Sequence, residues 1–543
     1  MYLKFITEVA DFYTKNKSII LKTIVLLIII WQAIGYFPIL NFEGDSALFS
    51  AGCERLYHNG LSFPPDFFYS WDMQPLTGLL VVGIKYILPF FTCEQIYCVL
   101  TIICALSFWI LSAFFISNLT KFRWEYCFIL LSLLPETYCI GYYPNTAIFA
   151  SLTFLTGLWL ILRKPLNIGS ILCLGIAPLF RVDILLIYPV VFFLQLNRTS
   201  QLKKSTINTF IYACCTLSIS VLLFWSLKAN PLNTLNHVEE IGKSRGGHLD
   251  IQSFVEMNVT FYTWISLLLI LIGIIALIKD KKYILVALSL LPTILLYYIY
   301  RDFQGSAAKH IQYQIPFLGI MIVYSLRIIS TKISERKYAL ILLLIILFAG
   351  QSFIGIRIHP QSKPWISKPY SKQYSQPTIA ELGSVDIKGT KLSFAIGAGQ
   401  PIATADEIML ISGHFFTPVY YHKLKNTEQE ERKYLMQIIK NEKTDTIHFL
   451  STQASFWPFL QILHGKGYYI EEMKPSMYIL KNDTKTIIAT GTNLMRNTDS
   501  INRILDSHIK PFYLYANWDW QQYIINENLT IAQPITKKIS RVK

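Results

Sequence analysis

Apolar runs long enough to cross a bilayer recur from residue 18 to residue 356. This repetition constrains the 543-residue chain more than any other feature. Candidate spans lie at 18–40, 96–116, 125–141, 144–162, 169–180, 183–197, 207–227, 258–278, 283–300, 311–328 and 338–356. Runs of about 20 apolar residues read as transmembrane helices, because in lipid a segment must satisfy its own backbone polar groups. Composition agrees: 53% of residues are hydrophobic and only 15% charged, where a soluble domain is about a quarter charged. The sequence predicts a polytopic α-helical membrane protein with about 11 transmembrane helices.

The net charge of +15 fits cytoplasmic loops rich in Lys and Arg. No zinc-finger spacing and no single long basic run accompanies it, so nucleic acid is not an expected partner. The first span is too long for a signal-peptide core and has no small-residue cleavage site. Lys4, Lys15, Lys17 and Lys22 precede or open it, which puts the N-terminus in the cytoplasm. Lys121/Arg123, Arg163/Lys164, Arg198/Lys203/Lys204, Lys279/Lys281/Lys282 and Arg327/Lys332/Arg336/Lys337 can all lie inside on one condition. The short apolar stretch 75–92 must not cross, and 169–197 must break at Phe180-Arg181-Val182-Asp183. The competing arrangement makes 75–92 a span and 169–197 one helix, and it puts two basic loops outside. Both arrangements place everything after 357 outside.

The character of the chain changes near 357. Pro360, Pro364 and Pro369 make a linker, and no further span follows. Lys391–Ile396 and Thr444–Leu450 read as strands, Glu428–Lys440 and Phe456–His464 as helices, and Tyr468–Leu480 as strand or hairpin. The division expected is a membrane domain over 1–356 and an extracytoplasmic α/β domain over 357–543. Its histidines, His414, His422 and His448, read as structural. The nine cysteines match no metal spacing and imply no disulfide framework.

Functional groups collect at the outer breaks. Asn41-Phe42-Glu43-Gly44-Asp45 begins the first large outer loop. Its carboxylates suit a proton acceptor or ion ligand, or Asp45 simply caps the helix that follows. Asp72 and Gln74 precede an apolar helix opened by Pro75. Arg181 and Asp183 interrupt a continuous apolar stretch. Charges at that depth face a cavity or a partner: Arg181 either grips a lipid phosphate or pairs with Asp183 to close the break. Lys309 and His310 stand at the mouth of the next span with Tyr313 one turn inside. They neutralise an anionic leaving group or snorkel. Tyr143 and Asn145 face the same side, where they could hydrogen-bond a sugar. Glu136, near the outer end of its span, could line the same cavity. The 228–257 loop reads as a flap, with Gly246-Gly247 a weak hinge.

Taken in order, these features resemble the GT-C superfamily of membrane glycosyltransferases, and within it the branch of protein O-mannosyltransferases and lipid A aminoarabinose transferases. Glu43-Gly44-Asp45 is similar to the acidic motif of that family's first outer loop. Asp72-Met73-Gln74-Pro75-Leu76 looks like the acidic residue and Pro-Pro-Leu that open its next helix, with Gln74 in place of the first Pro. Arg181 falls where a basic residue often follows a short Gly-containing helix. Lys309-His310-Ile311-Gln312-Tyr313-Gln314-Ile315-Pro316 looks like its late basic-x-x-Tyr-x-x-Pro pattern.

The resemblance implies a GT-C-like fold and a sugar donor carried on polyprenyl phosphate. The acceptor would be a glycan, lipid or protein at the outer face, amid membrane lipids. It implies transfer with inversion, Asp45 as general base or acceptor-orienting carboxylate supported by Glu43, and Arg181, Lys309, His310 and Tyr313 on the donor phosphate. Asp72, Gln74, Tyr143, Asn145 and Asp183 would contact substrate. Asn145 stands where several relatives carry an acidic residue, which leaves a divalent Mg or Mn ion an open question and any metal ligands unknown. The competing reading is a flippase or polymerase of lipid-linked oligosaccharide. That reading requires charges along the whole bilayer path, whereas here they gather in the outer half. A transporter would show paired broken helices in two related halves.

Overall fold

The computed structural model describes residues 2–35, 44–59, 74–132, 134, 145–232, 251–300 and 312–332. Beyond these it describes 378–380, 384–387, 390–396, 436, 439–452, 468–474, 477–492, 512–516 and 538–541. The helices are α1 (Tyr2–Gly35), α2 (Gly44–Asn59), α3 (Pro75–Ile87), α4 (Cys93–Thr120), α5 (Trp124–Ser132), α6 (Ala147–Arg163), α7 (Ile168–Phe180), α8 (Val190–Thr199), α9 (Leu202–Ser226), α10 (Ile251–Lys279), α11 (Tyr283–Tyr300) and α12 (Ile315–Lys332). The chain forms two compact units. One comprises 1–38, 101–360 and 412–418; the other comprises 39–100, 361–411 and 419–543.

In the first unit the apolar runs become helices, as their length requires. Across the described residues, Asn16–Ala33, Cys93–Thr120, Leu202–Ser226 and Gln312–Ile329 are long and apolar enough to cross a membrane. Ala147–Arg163, Ile168–Phe180, Ile265–Lys279 and Tyr283–Tyr298 are shorter apolar helices. Ile19, Leu26, Leu27, Val221, Leu222 and Trp225 are exposed. Faces this apolar suit lipid rather than water. The polar residues inside the helices are absorbed by their own backbone. The hydroxyls of Ser112, Thr120, Ser151 and Thr216 each donate to the carbonyl four residues earlier, which satisfies them without a partner helix.

Small residues set the closest helix contacts. Gly273 on α10 meets the backbone of Met321 on α12, and a Cβ built there lies 2.8 Å from the Met321 carbonyl carbon. Ser220 Oγ of α9 donates to Gly175 O of α7 at 2.7 Å, and Ser170 Oγ of α7 donates to Gly157 O of α6 at 2.7 Å. Gln195 Nε2 donates to Pro165 O at 2.6 Å while its carbonyl accepts from Asn208 at 3.2 Å. This amide chain ties α8 and α9 to the loop before α7.

Two stretches differ from the sequence expectation. The 183–197 stretch is not one helix. A 3-10 turn, Val182–Ile187, comes first, and α8 begins only at Val190. Pro189 has no N–H to give the preceding turn, so the ladder restarts after it. The 311–328 stretch opens with a second 3-10 turn, Gln312–Gln314, before α12. Of 125–141, the described helix covers Trp124–Ser132, and 338–356 lies outside the described residues.

In the second unit, α2 packs on α3 through a buried ion pair. Glu54 Oε2 and Lys85 Nζ are 3.1 Å apart with side chains 1% and 9% exposed. Glu54 Oε1 also accepts from the backbone N–H of Cys93 at 2.6 Å, and Lys85 donates to Phe91 O at 3.0 Å. One carboxylate thereby caps the N-terminus of α4 while it holds α3. Burial pushes the neighbouring Cys53 thiol well up, which keeps it an inert core residue. Helix α3 has 13 residues, about 20 Å at 1.5 Å per residue. That is short of the roughly 30 Å hydrocarbon core.

The strands of this unit are β1 (Thr378–Ala380), β2 (Ser384–Ile387), β3 (Thr390–Ile396), β4 (Thr446–Thr452), β5 (Tyr469–Lys474), β6 (Met477–Lys481), β7 (Thr486–Thr492), β8 (Phe512–Ala516) and β9 (Lys538–Arg541). Seven form a mixed sheet in the order β2-β3-β8-β4-β7-β6-β5, and β1 pairs with β9. The centre, β3-β8-β4-β7, is parallel, and both edges are closed by antiparallel hairpins. The expected strands at 391–396 and 444–450 and the hairpin at 468–480 are present with shifted ends. Asn482-Asp483-Thr484-Lys485 turns the chain into β7, with the Asn482 side-chain Oδ1 accepting from the Thr484 and Lys485 N–H groups. The expected helix at 456–464 lies outside the described residues, as does most of 428–440. Tyr469 of β5 stacks on His58 near the end of α2, with ring centroids 4.4 Å apart.

Candidate active site

The site grows from the break after α7. Helix α7 closes at Phe180, and Arg181 takes an extended backbone, φ −167° and ψ 119°. Its N–H still reaches Ala177 O at 3.3 Å. The 3-10 turn that follows returns Asp183 under the guanidinium. Arg181 Nε donates to both Asp183 oxygens, at 3.0 and 2.9 Å. The two side chains are 12% and 13% exposed.

Two other segments complete the arrangement. The Tyr313 hydroxyl, in the 3-10 turn before α12, donates to Asp183 Oδ1 at 2.9 Å. Asn145 and Thr146 lead into α6. Thr146 Oγ1 lies 3.5 Å from Arg181 Nη1, and Asn145 Oδ1 accepts from Gln312 Nε2 at 3.2 Å and from Ile148 N at 3.3 Å. Phe149 stacks with Phe180 at 6.0 Å. Three chain segments far apart in sequence thus meet at one polar cluster among buried side chains: Asn145 and Thr146 are each 3% exposed, Tyr313 2% and Gln312 0%.

Chemically this is a charge-balanced node. The Arg181 and Asp183 charges offset each other at short range. In a low-dielectric setting such a pair needs its remaining lone pairs satisfied, and Tyr313 supplies one such bond. The carboxylate fixes the direction of the guanidinium, a planar fork whose geometry matches carboxylate and phosphate groups.

The structure brings together Arg181, Asp183, Tyr313 and Asn145 from the expected set. Asp45 is the second residue of α2, with its side chain outside the described set. Gln74 precedes Pro75, which opens α3. Glu43, Asp72, Tyr143, Lys309 and His310 lie outside the described residues, as do Glu136 and most of the 228–257 loop. Asn145 works as a bridge between α6 and the Gln312 turn. Among the described residues no three His, Cys, Asp or Glu side chains are grouped to hold an ion.

Sequence reasoning passed over Thr146, Gln312, Glu54 and Lys85 as functional or organising residues. Lys85 carried a signal, being a lone cation inside the apolar 75–92 stretch. Gln312 sits next to Tyr313 but has no sequence mark of its own.

No family model and no curated protein matches the sequence. Among solved structures, ArnT from Cupriavidus metallidurans bound to undecaprenyl phosphate is similar with a TM-score of 0.50 at 10% identity. The match covers 87% of this chain and 97% of that one. The apo state of the same protein gives a TM-score of 0.50 at 10% identity over 83% and 84%. The helical arrangement of this chain therefore follows the ArnT fold.

Proposed function

We propose that the protein is an integral-membrane glycosyltransferase that moves a sugar from polyprenyl phosphate to a glycan, lipid or protein at the outer face of the membrane. One observation carries the reading. A half-buried Arg181–Asp183 pair, anchored by Tyr313, sits at a helix break in a chain with the ArnT fold. ArnT from Cupriavidus metallidurans has a structure with undecaprenyl phosphate bound. The lipid-linked anion is the ligand class that an oriented guanidinium at membrane depth suits.

The chemistry follows with little added. The acceptor hydroxyl or amide attacks the anomeric carbon and its proton passes to the Asp45 carboxylate, supported by Glu43. The bond from that carbon to the phosphate oxygen breaks, and the phosphate leaves with its negative charge beside Arg181, Lys309 and His310. Stabilising the charge that develops on the leaving group is the largest lever such a site has. Attack opposite the phosphate inverts the anomeric centre. Asp72, Gln74 and Tyr143 belong to the substrate-binding surface in this scheme. Residues 1–356 form the membrane catalytic domain, with the N-terminus inside. Residues 357–543 form an extracytoplasmic domain on an inner membrane.

The test is transfer itself. Purified protein in detergent is given radiolabelled sugars on undecaprenyl phosphate with envelope extract as acceptor. Label moving into a product supports the proposal. Absence of transfer, together with movement of the same lipids across liposome bilayers, would replace it with the flippase reading.

A further inference from the structure

Gln312 has the two ends of its amide in different situations. Its Nε2 donates to Asn145 Oδ1 at 3.2 Å, and its Oε1 is buried with no hydrogen-bond partner among the described residues. The orientation is fixed by the neighbour. Asn145 Oδ1 also accepts from the Ile148 N–H at 3.3 Å, so that atom is an acceptor and Gln312 must turn its NH2 toward it. Flipping the Gln312 amide would set two carbonyl oxygens against each other. Hydroxyls such as Ser289 and Thr293, also without a partner, can swing to a helix carbonyl one turn back. An amide carbonyl whose NH2 is anchored has no such escape.

A buried acceptor left unmade is expensive, and native structures rarely keep one without a water, an ion or a ligand to satisfy it. This one lies next in sequence to Tyr313, which holds Asp183. Across the bridge, Asn145 is next to Thr146, which approaches Arg181. We propose that Gln312 Oε1 accepts a hydrogen bond from a hydroxyl or ammonium group of the transferred sugar. Gln312 is then a specificity residue for donors that carry a hydrogen-bond donor at that ring position. This rests on the glycosyltransferase reading above. A site built around such a bond rejects the analogue lacking it far more strongly than an apolar pocket rejects a missing methylene.

The experiment compares wild type with Gln312→Met, which keeps the length and removes the acceptor. The donors are undecaprenyl phosphate carrying glucose, galactose, N-acetylglucosamine or 4-amino-4-deoxyarabinose, with deoxy analogues of whichever is used. Binding of bare undecaprenyl phosphate is measured alongside. Gln312→Met is expected to lower kcat/KM for the natural donor about 10- to 100-fold. Bare undecaprenyl phosphate should bind as in wild type, and one deoxy analogue should react equally poorly with both proteins. Unchanged transfer by Gln312→Met overturns the inference and assigns the acceptor to a bound water. Equal weakening of donor and bare phosphate overturns it in favour of a structural role. Absence of transfer by wild type from every donor overturns the glycosyltransferase reading and this inference with it. Wild type alone covers misfolding of the Met variant: one deoxy analogue should react about 10- to 100-fold more slowly than its parent donor, and equal rates for the parent and every deoxy analogue count against the proposal.

Discussion

Tyr313 donates a 2.9 Å hydrogen bond to Asp183 across 130 residues of sequence. Asp183 in turn receives Arg181 Nε on both oxygens. The carboxylate therefore links the helix break after α7 to the turn before α12, and the direction in which the guanidinium points depends on both ends.

Tyr313→Phe removes that hydroxyl without changing the ring. The Asp183 oxygen loses a bond worth about 1–3 kcal/mol when unmade in a buried place. We expect donor KM to rise about tenfold, the equivalent of 1.4 kcal/mol, with the protein still folded. Arg181→Lys keeps the charge and loses the fork, and should weaken the donor at least as much. If Arg181→Ala leaves donor binding within twofold of wild type, the phosphate role is wrong.

The Glu54–Lys85 pair predicts an asymmetric pattern. Lys85→Met leaves a buried carboxylate without its ion-pair partner, and Glu54→Gln leaves a buried ammonium. Each should cost about 3–5 kcal/mol, while the double replacement Glu54→Gln/Lys85→Met should recover much of the loss. Thermal unfolding in detergent reads this directly, and additive losses would contradict the coupling.

Gly273 is a packing prediction. A Cβ at this position meets the Met321 backbone, which cannot move aside as a side chain tip can. Gly273→Ala should therefore destabilise the α10–α12 contact by about 1–3 kcal/mol, and Gly273→Leu more. The melting temperature is the readout, and an unchanged value for Gly273→Leu would contradict the close approach.

His448 on β4 predicts acid sensitivity of the sheet. Burial lowers its pKa from the usual 6.5. The unfolded chain then takes up a proton at higher pH than the folded one. The sheet keeps its full stability above about 6.5 and loses part of it as the pH falls toward the lowered value. Protection factors over 446–452, taken relative to the intrinsic exchange rate at each pH, should fall between pH 7 and pH 5, and His448→Gln should flatten that change. A slope unaltered by the substitution would assign it elsewhere.

What was legible in the sequence was what periodicity and solvation dictate. The apolar runs marked the helices because lipid leaves the backbone no alternative. The break at Arg181 was legible because a chain broken there can put all the basic loops on one side, which the unbroken alternative cannot. The 3-10 turns at 182–187 and 312–314 were not legible, since local propensity does not distinguish them from an α-helical turn. The Asp183–Tyr313 and Asn145–Gln312 bridges depend on segments that meet only in the folded chain. Glu54 was passed over because a carboxylate on a short surface helix looks solvated until Lys85 and Cys93 are placed beside it.

The central claim is sugar transfer from a lipid phosphate with Asp45 as the base. The most direct measurement follows label in the product and free undecaprenyl phosphate together, for wild type and Asp45→Asn. The account predicts one lipid phosphate released per sugar transferred by wild type, and a fall in kcat of at least about 100-fold for Asp45→Asn, the scale of general-base catalysis, with donor affinity retained. Transfer by Asp45→Asn at the wild-type rate would contradict it.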